Sequence, residues 1–558
     1  MDRILNPLGD WNPQLFRELK GRFTRKNVAI AFGLACFTQF FLYLFYLGEL
    51  PNALVDQPYN RYCTGPEDDY WRFTYQCLRD GNDWLINWQL WHFDVFVALT
   101  LIGLGILLVV GTHLIGADVA KEEQRGTLGF VRLSPQPVSK ILLGKLLGVP
   151  SLIYVGLAFV LPWHLWLGFQ GGIALGWLMV LYGVAIAASF TAFTGAVLWS
   201  FVGRELLGGF HTWLYSGGLG LYLFGMTVAC FEDNFPSYTP FDWVRIFYPG
   251  NVFYYLVDQN SLAPETIGYF LPHNWFQTQW YGSSFWVIGL GGLGFMAIHY
   301  VLLGVLAWQG IRRRFYDPQA TIITKAMGCG VAISSTIFMT GFVGAGDRPE
   351  RLFANFQTLQ GFYWVVMLGL ILLLTPTRQR VQDWARFRHQ NTSHRRFKWS
   401  FFREDRSPAL GAIALMLLLT TGYQMALVLL SSMPSQKLLV ITGLGLQGSC
   451  LFLLAVLTQW IFLRRQKRAV WFGVAVIGPS VVPFILFTVF HGRFTLPITL
   501  GLFSAFPLGA VALAVPSMVI WSAIAQWGMI LGCLWGLQQQ IRRLGQSDLK
   551  TFQVTPTE

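Results

Sequence analysis

The residues that could do chemistry lie mainly in one charged stretch, 118–145, between two long apolar runs. It opens with Asp118 and the run Lys121-Glu122-Glu123-Gln124-Arg125, and it closes with Gly144-Lys145. Membrane-spanning runs flank it, and basic residues typically mark the cytoplasmic side of a membrane protein. We therefore expect this stretch to take up force from a cytoplasmic partner rather than to make or break bonds.

The middle of this stretch predicts a short helix. Gly126-Thr127 precede an apolar turn from Leu128 to Leu133, and Ser134-Pro135 follow it. We expect Thr127 to cap the helix and the Ser-Pro pair to end it. Lys145 should lie at the membrane face. An ordinary surface helix would show the same pattern, so these residues by themselves leave both interpretations open.

Sequence motifs for catalysis and for nucleotide binding are absent. No Gly-x-x-x-x-Gly-Lys-Ser/Thr and no Gly-x-Ser-x-Gly occurs, and Gly144-Lys145 is followed by Leu146. The predicted spans hold almost no carboxylates, with Asp94 and Glu205 at their boundaries. A charge at mid-bilayer costs on the order of 3 kcal/mol and is kept where it relays ions. We expect no enzyme activity, no cofactor and an energy source outside this chain.

Two groups of polar residues outside the charged stretch raise other functions, a metal site and an enzyme. Three histidines fall in or near apolar runs without metal-ligand spacing, so we expect no metal site; they are His113, His211 and His299. A membrane enzyme acting on lipid-like substrates would have to use the outward polar residues, which are Asp242, Arg245 and Asp347.

The first outer loop predicts a disulfide. Residues 49–92 form a net acidic loop rich in Trp and Tyr, and they include Cys63 and Cys77. An oxidising outer compartment would permit these two thiols to pair and close the loop.

Composition places the chain in a membrane. Hydrophobic residues make up 54% and charged residues 12%, against roughly 25% charge in a soluble domain. Apolar runs of about 18 or more residues recur, each long enough to cross the hydrocarbon as a helix. The net charge of +12 comes from Lys and Arg at the ends of these runs, which indicates cytoplasmic anchors rather than nucleic-acid binding. We predict an all-α polytopic protein of a bacterial-type inner (plasma) membrane, with both termini cytoplasmic.

The positive-inside rule predicts about twelve transmembrane helices in two six-helix halves. An interfacial helix occupies 1–27, the first half 28–314, the second half 315–544 and a cytoplasmic tail 545–558. The spans of the first half are predicted at 28–47, 93–117, 141–168, 173–202, up to Cys230, and 285–309. Those of the second half are predicted at 326–343, 361–374, 409–430, 438–463, 470–490 and after Ser517. Loop 344–357 should lie outside, and the basic stretch 377–407 inside.

Re-entrant outer segments, 231–284 and 495–517, are predicted before the last span of each half. Segments 247–252 and 505–511 both pair an aromatic residue with Pro and Gly, and both last spans end in Ile-Arg-Arg. These features favour an internal repeat, although such short patterns also recur by chance in membrane proteins.

Taken together, the polar motifs resemble those of a known transporter family. Glu-x-x-x-Gly-Thr-Leu, then Ser-Pro, then Gly-Lys entering the third span, after an interfacial Asn-Pro…Arg-Glu-Leu helix, resembles the permease subunit of type-2 ABC transporters, mostly exporters. The resemblance covers about 12–314. The matching residues are Glu122 or Glu123, Gly126, Thr127, Leu128, Ser134, Pro135, Gly144 and Lys145, with Asn12, Pro13, Arg17, Glu18 and Leu19 ahead of the first span.

The resemblance implies that 118–145 is a coupling loop that docks on a separate ATP-binding subunit. Closure of a dimer of that subunit would rock the spans and move a substrate. The second half departs from the pattern, because 377–407 is basic and lacks the Gly-Thr, Ser-Pro, Gly-Lys order. One chain could therefore supply both halves of a pore, or it could pair with a second permease chain. A membrane enzyme and a structural or assembly subunit of a larger complex remain the alternatives.

Overall fold

The computed structural model describes residues 9–51, 59–68, 72–81, 83–207, 210–231, 239–287, 290–344, 349–390, 404–431, 436–464, 477–490 and 496–545. The chain divides into two compact units. The first comprises Met1–Ser237, Val244–Thr278 and Ser284–Arg312, and the second comprises Tyr238–Trp243, Gln279–Ser283 and Arg313–Glu558.

The first 316 residues contain thirteen of the helices and all four strands named for the described part of the chain. The helices are α1 Pro13–Arg22, α2 Arg25–Gly48, α3 Trp88–Gln124, α4 Thr127–Arg132, α5 Val138–Gly148, α6 Ser151–Gln170, α7 Leu175–Leu207, α8 His211–Phe231, α9 Phe241–Arg245, α10 Val252–Asp258, α11 Pro264–Ile267, α12 Pro272–Phe276 and α13 Gly291–Tyr316. The strands form two antiparallel hairpins, β1 Tyr59–Asn60 with β2 Tyr75–Gln76, and β3 Arg79–Asp80 with β4 Asp83–Trp84. Helix α3 contains one π turn, Ile106–Val110.

The remainder of the described chain is helical. It contains α14 Lys325–Thr340, α15 Pro349–Leu374, α16 Arg378–Gln390, α17 Leu410–Leu430, α18 Lys437–Arg464, a π turn at Ile477–Val481 that leads into α19 Val482–Phe490, α20 Leu496–Leu502, α21 Pro507–Leu513 and α22 Pro516–Gly545. Among the described residues, ten helices are long and apolar enough to cross a membrane, namely α2, α3, α6, α7, α8, α13, α15, α17, α18 and α22. The chain is therefore an all-α protein of polytopic character, and the count of twelve spans stays a prediction.

Local sequence explains where several helices begin. Asn12 accepts a hydrogen bond from the backbone N–H of Leu15 at 3.0 Å, and Pro13 occupies the first position of α1. Thr24 caps α2 and Asn87 caps α3 in the same way. Each of these side chains satisfies a backbone donor that the first turn of a helix leaves without a partner.

The surface of α2 carries the exposed apolar side chains that are typical of a helix facing lipid. Leu34, Phe37 and Phe41 are 62%, 60% and 61% exposed. In water, so large a run of exposed apolar side chains would favour association. In a bilayer the same side chains lie against acyl chains, while α3 is packed inside the first unit through residues such as Phe93 and Phe96.

Three predicted boundaries are wrong. The third span does not run unbroken from 141, because α5 ends at Gly148 and Pro150, which lacks an N–H donor, separates it from α6. The sixth does not begin at 285, where a short 3₁₀ turn precedes α13. The loop predicted at 344–357 is helical from Pro349 onward, and a proline is favoured at the first position of a helix.

Glutamine side chains hold the short helices α20 and α21 in the second unit. Gln447 donates from Nε2 to the carbonyls of Gln360 and Ala505 at 2.7 and 3.1 Å. Gln526 donates to the carbonyl of Leu502 at 2.9 Å, and Gln360 accepts from the N–H of Leu508 at 3.3 Å. Irregular backbone at membrane depth is tolerated where protein groups satisfy it. These bonds suit the predicted re-entrant segment 495–517, whose depth in the bilayer stays a prediction.

A carboxylate at the start of α3 joins two parts of the first unit. Asp94 is bonded to Arg61 at 2.7 and 3.1 Å, to the hydroxyl of Tyr62 at 3.1 Å and to that of Tyr269 at 2.5 Å. Arg61 also donates to the carbonyl of Ile267 at 2.7 Å. Asp94 therefore joins the loop that contains strands β1 to β4 to the segment that contains the short helices α9 to α12. The same loop is closed by a disulfide between Cys63 and Cys77, whose α-carbons are 4.7 Å apart.

Replacing Asp94 by Asn should destabilise the first unit, because the largely buried guanidinium of Arg61 loses its counter-charge. We expect the free energy of unfolding to fall by about 2 kcal/mol, the low end of the cost of breaking such a pair. Denaturant titration of the purified protein in mild detergent measures this change. Asp83→Asn, at an exposed carboxylate of the same loop, is the matched control and should stay within ~0.5 kcal/mol of the unmodified protein.

Candidate functional site

Helix α1 lies across α5 at two glycines one turn apart. A Cβ atom at Gly144 would lie 2.8 Å from the backbone nitrogen of Leu15 and 2.9 Å from Oδ1 of Asn12. One at Gly148 would lie 2.5 Å from Cβ of Glu18. Side chains cannot be accommodated at such distances, so the close crossing requires glycine at both positions. Asn12 fixes the crossing further by donating from Nδ2 to the carbonyl of Lys140 at 2.8 Å.

A buried lysine lies at the centre of this crossing. The Lys145 side chain is 2% exposed, and its Nζ lies 2.7 Å from Asp118, 2.9 Å from Glu122 and 3.6 Å from Glu18. These carboxylates come from the end of α3 and from α1. One ammonium on α5 therefore binds three helical elements together.

Two arginines of α1 complete the cluster. Arg22 contacts Glu18, and it bonds to Asp118 at 2.9 Å. Arg17 bonds to Glu122 at 2.6 Å. Three bases, Arg17, Arg22 and Lys145, thus face three acids, Glu18, Asp118 and Glu122. We call these six side chains the ion-pair cluster. Its formal charge is zero, so the buried charges of Lys145 and Glu18 are compensated by their neighbours.

The electrostatics of the cluster favour its charged state. Burial acts to lower the pKa of Lys145, but the carboxylates of Asp118, Glu122 and Glu18 outweigh that effect and raise its pKa above the ordinary value. The pKa of Arg22 is raised in the same way, because the carboxylates of Glu18 and Asp118 outweigh the lowering effect of burial. Lys145 and Arg22 are consequently protonated throughout the neutral range of pH.

The three acids of the cluster also lie near enough to share a cation, with ligand oxygens within 4.8 Å of one another. Lys145 and the two arginines already neutralise them. The donor set is therefore accounted for by ion pairs and does not require a metal ion.

The turn that follows α3 projects apolar side chains. Gly126 adopts a left-handed conformation with φ of 71°, which is strained for residues other than glycine. Within helix α4, Leu128 is buried, at 2% exposed. Phe130 of the same helix and Leu133, which follows the helix, are 77% and 84% exposed. We call α4 with Leu133 the apolar turn. Ser134 and Pro135 follow it directly, as predicted.

The predicted role of Thr127 as a cap is wrong. The residue at the cap position is Gly126, which has no side chain to accept a hydrogen bond. The Thr127 hydroxyl instead donates back to the carbonyl of Glu122 at 3.1 Å. Thr127 therefore ties the apolar turn to the end of α3 rather than closing the first turn of α4.

The structure brings together part of the residue set that the sequence singles out. Asn12, Glu18, Glu122, Gly144 and Lys145 meet where α1 crosses α5, whereas Gly126, Thr127, Leu128, Ser134 and Pro135 form the turn beyond. Pro13, Arg17 and Leu19 lie on α1, and Glu123 is half-buried near the end of α3. Sequence reasoning did not recognise Arg22, Asp118 and Gly148 as parts of the crossing. The signal was present, since a lysine within an apolar helix requires carboxylates, and Gly148 follows Gly144 by one turn.

The outward residues considered for an enzyme are not arranged as an open site. Arg245 is fully buried, and its guanidinium lies 4.7 and 4.8 Å from the ring centroids of Tyr254 and Trp275. Asp242 is 1% exposed, and Asp347 lies outside the described residues. Among the histidines, His113 is bonded to Ser216 of another helix, as isolated histidines of membrane helices commonly are, and His299 is bonded to the carbonyl of Phe295 within its own helix.

The basic stretch of the second unit is built differently. It contains α16, which begins at Arg378, and Arg380 pairs there with Asp317. Asp405 accepts from Arg313 at 3.0 Å. The second unit thus has its own charged contacts from residues that do not follow the order seen in 118–145.

Comparison with known proteins does not place the chain in a family. No protein-family model, no curated protein and no solved structure matches it. The resemblance to type-2 ABC permeases therefore rests on the sequence motifs named above.

Replacing Lys145 by Met should weaken the crossing of α1 and α5, because one buried and two half-buried carboxylates would then face two bases. We expect a loss of about 3 kcal/mol in the free energy of unfolding. Lys140→Met, which removes an exposed amine from the same helix, should change it by less than ~0.5 kcal/mol. The double variant Lys145→Met/Asp118→Asn should recover part of the loss. Equal effects at Lys145 and Lys140 would show that the ion-pair cluster is not a stabilising element.

Proposed function

We propose that this chain is the membrane-spanning permease subunit of an ATP-driven transporter of the type-2 ABC class, working as an exporter. The observation that carries the proposal is the apolar turn, which presents two large exposed side chains and is bonded through Thr127 to the ion-pair cluster around the buried Lys145. Thr127 and Leu128 of the turn are among the residues on which the resemblance rests, as are Glu18, Glu122 and Lys145 of the cluster.

The apolar turn has the properties of a docking element. Phe130 and Leu133 are flanked by charged residues of the loop, including Lys121, Arg125 and Lys140. Exposed aromatic and aliphatic side chains within a polar surround are typical anchors of protein interfaces. Since the positive-inside rule assigns these basic residues to the cytoplasm, the partner would be cytoplasmic.

The turn is also mounted so that it can transmit force. Leu128 of the turn is buried, and the Thr127 hydroxyl donates a hydrogen bond to the carbonyl of Glu122 at 3.1 Å. Glu122 in turn pairs with Lys145 of α5 and with Arg17 of α1. A push on the apolar turn would thus reach α1, α3 and α5 together. Because the sequence contains no nucleotide-binding motif, the push must come from a separate ATP-binding subunit.

Site-specific photo-crosslinking tests this function. A benzoylphenylalanine placed at Phe130 or at Leu133, in cells that normally make the protein, should capture a chain that carries Gly-x-x-x-x-Gly-Lys-Ser/Thr, identified by mass spectrometry. The probe at Leu430, an equally exposed leucine at the end of α17, is the control and should not capture that chain.

A variant measurement complements the crosslinking. Phe130→Ser/Leu133→Ser should reduce co-purification of the ATPase by roughly tenfold or more, since buried aromatic and aliphatic anchors dominate interface energies. The variant should still insert and elute as a single species in detergent. Capture of lipid alone at both positions of the apolar turn, with ATPase recovery unchanged in the double variant, would refute the proposed function.

A further inference from the structure

The first unit contains a cleft of about 570 Å³ between α2, α3, α6 and α7. This volume lies in the range of small-molecule sites, roughly 300–1,000 Å³. Its walls are almost wholly apolar, with Ile30, Leu34, Leu99, Ile102, Leu157 and Leu161 among them. In a bilayer, a lipid acyl chain will enter such a cleft if the cleft is as long as the chain and if the groups at each end of the cleft suit the two ends of the lipid.

The length of the cleft matches one leaflet of a bilayer. Along α2 its lining runs from Asn27 to Thr38, and along α6 from Leu152 to His164. Eleven or twelve helical residues at 1.5 Å each span about 17 Å. Half of a hydrocarbon core of about 30 Å is 15 Å. The cleft is thus as long as one extended acyl chain of a single leaflet.

One end of the cleft is closed by a satisfied polar group. The Thr100 hydroxyl donates to the carbonyl of Phe96 at 2.7 Å, so it accepts from Nε2 of His164 at 2.8 Å. Nδ1 of His164 then accepts from the hydroxyl of Tyr182 at 2.7 Å. Since each member bonds to a protein neighbour, this end needs no polar group from a ligand, and a terminal methyl group can rest against it.

Positively charged residues directly precede the residue that lines the other end of the cleft. Asn27 lines that end, and the two residues before it, Arg25 and Lys26, are exposed at the first turn of α2. Lys20 of α1 is exposed nearby in sequence. The N-terminus of a helix carries partial positive charge as well. Basic residues at this depth attract anionic headgroups, at about 1 kcal/mol each.

From this geometry we propose that the cleft binds one acyl chain of an anionic phospholipid, whose phosphate lies against Arg25 and Lys26. The bound chain fills the space between α2 and the rest of the unit, so the lipid is part of the packing of α2. The inference goes beyond the proposed transport function and does not depend on it, because it uses neither the apolar turn nor an ATP-binding partner.

A photoreactive lipid tests the proposal directly. The full chain is reconstituted into phosphatidylcholine nanodiscs that contain a minor share of phosphatidylglycerol with a diazirine near the end of one acyl chain. After illumination, labelled peptides should include Thr100, His164 or Tyr182. The same diazirine on phosphatidylcholine should label these peptides roughly tenfold less.

Two variants and a matched control make the result specific. Arg25→Gln/Lys26→Gln should lower labelling at the closed end roughly tenfold, whereas Arg542→Gln/Arg543→Gln, an exposed arginine pair at the end of α22, should leave it unchanged. Gly156→Leu should also lower labelling by filling the cleft; a Cβ at Gly156 lies at an ordinary van der Waals distance of 3.9 Å from its nearest neighbour, the carbonyl oxygen of Ala31. Equal labelling by both lipids, no response to Arg25→Gln/Lys26→Gln, or label confined to the outer face of α2 would overturn the proposal.

Discussion

Much of the first unit depends on the burial of one positive charge. Lys145 is 2% exposed, and a buried ammonium is tolerated where carboxylates and hydrogen bonds replace its water. Those carboxylates lie on α1 and α3, so neither helix can shift relative to α5 without exposing an uncompensated charge. The glycines at 144 and 148 make the short distances possible. The position of the apolar turn follows from this constraint, since it begins directly after the acids of α3.

The second unit has ion pairs of its own, but most of its buried polar contacts come from neutral groups. Its buried polar side chains are mostly amides and hydroxyls, such as Gln360, Gln447 and Gln526, and several bond to backbone carbonyls. Its buried lysine, Lys325, donates to the Ser407 hydroxyl at 2.5 Å and to the carbonyl of Pro408 at 3.1 Å. The bonds donated by Gln447 and Gln526 hold backbone segments in place without adding formal charge. The sequence difference between 118–145 and 377–407 is accompanied by different contacts in the described parts of the second stretch, 377–390 and 404–407.

Sequence reasoning located most helices, because apolar runs bounded by basic residues carry strong information in membrane proteins. It placed α17 and α18 within one residue at both ends. The predicted helix boundaries were wrong where two helices meet inside one apolar run, as at Pro150, and where a helix continues beyond the apolar run, as in α15. The parts of the ion-pair cluster were visible as residues, but their convergence was not, since Glu18 and Asp118 are brought to Lys145 by tertiary packing. The role of Thr127 was misjudged because a hydroxyl after glycine can bond backward as well as forward.

Helix α3 joins the two charged sites of the first unit in a single rod. Asp94 near one end and Glu122 near the other are separated by 28 residues, which at 1.5 Å each amounts to about 42 Å. Between them lies the π turn at Ile106–Val110, where one extra residue per turn interrupts the regular ladder of hydrogen bonds. With both ends anchored by ion pairs, a displacement at one end must either travel the full length of the rod or be absorbed at that turn. The π turn is therefore the point that sets whether α3 acts as a stiff lever or as two jointed segments.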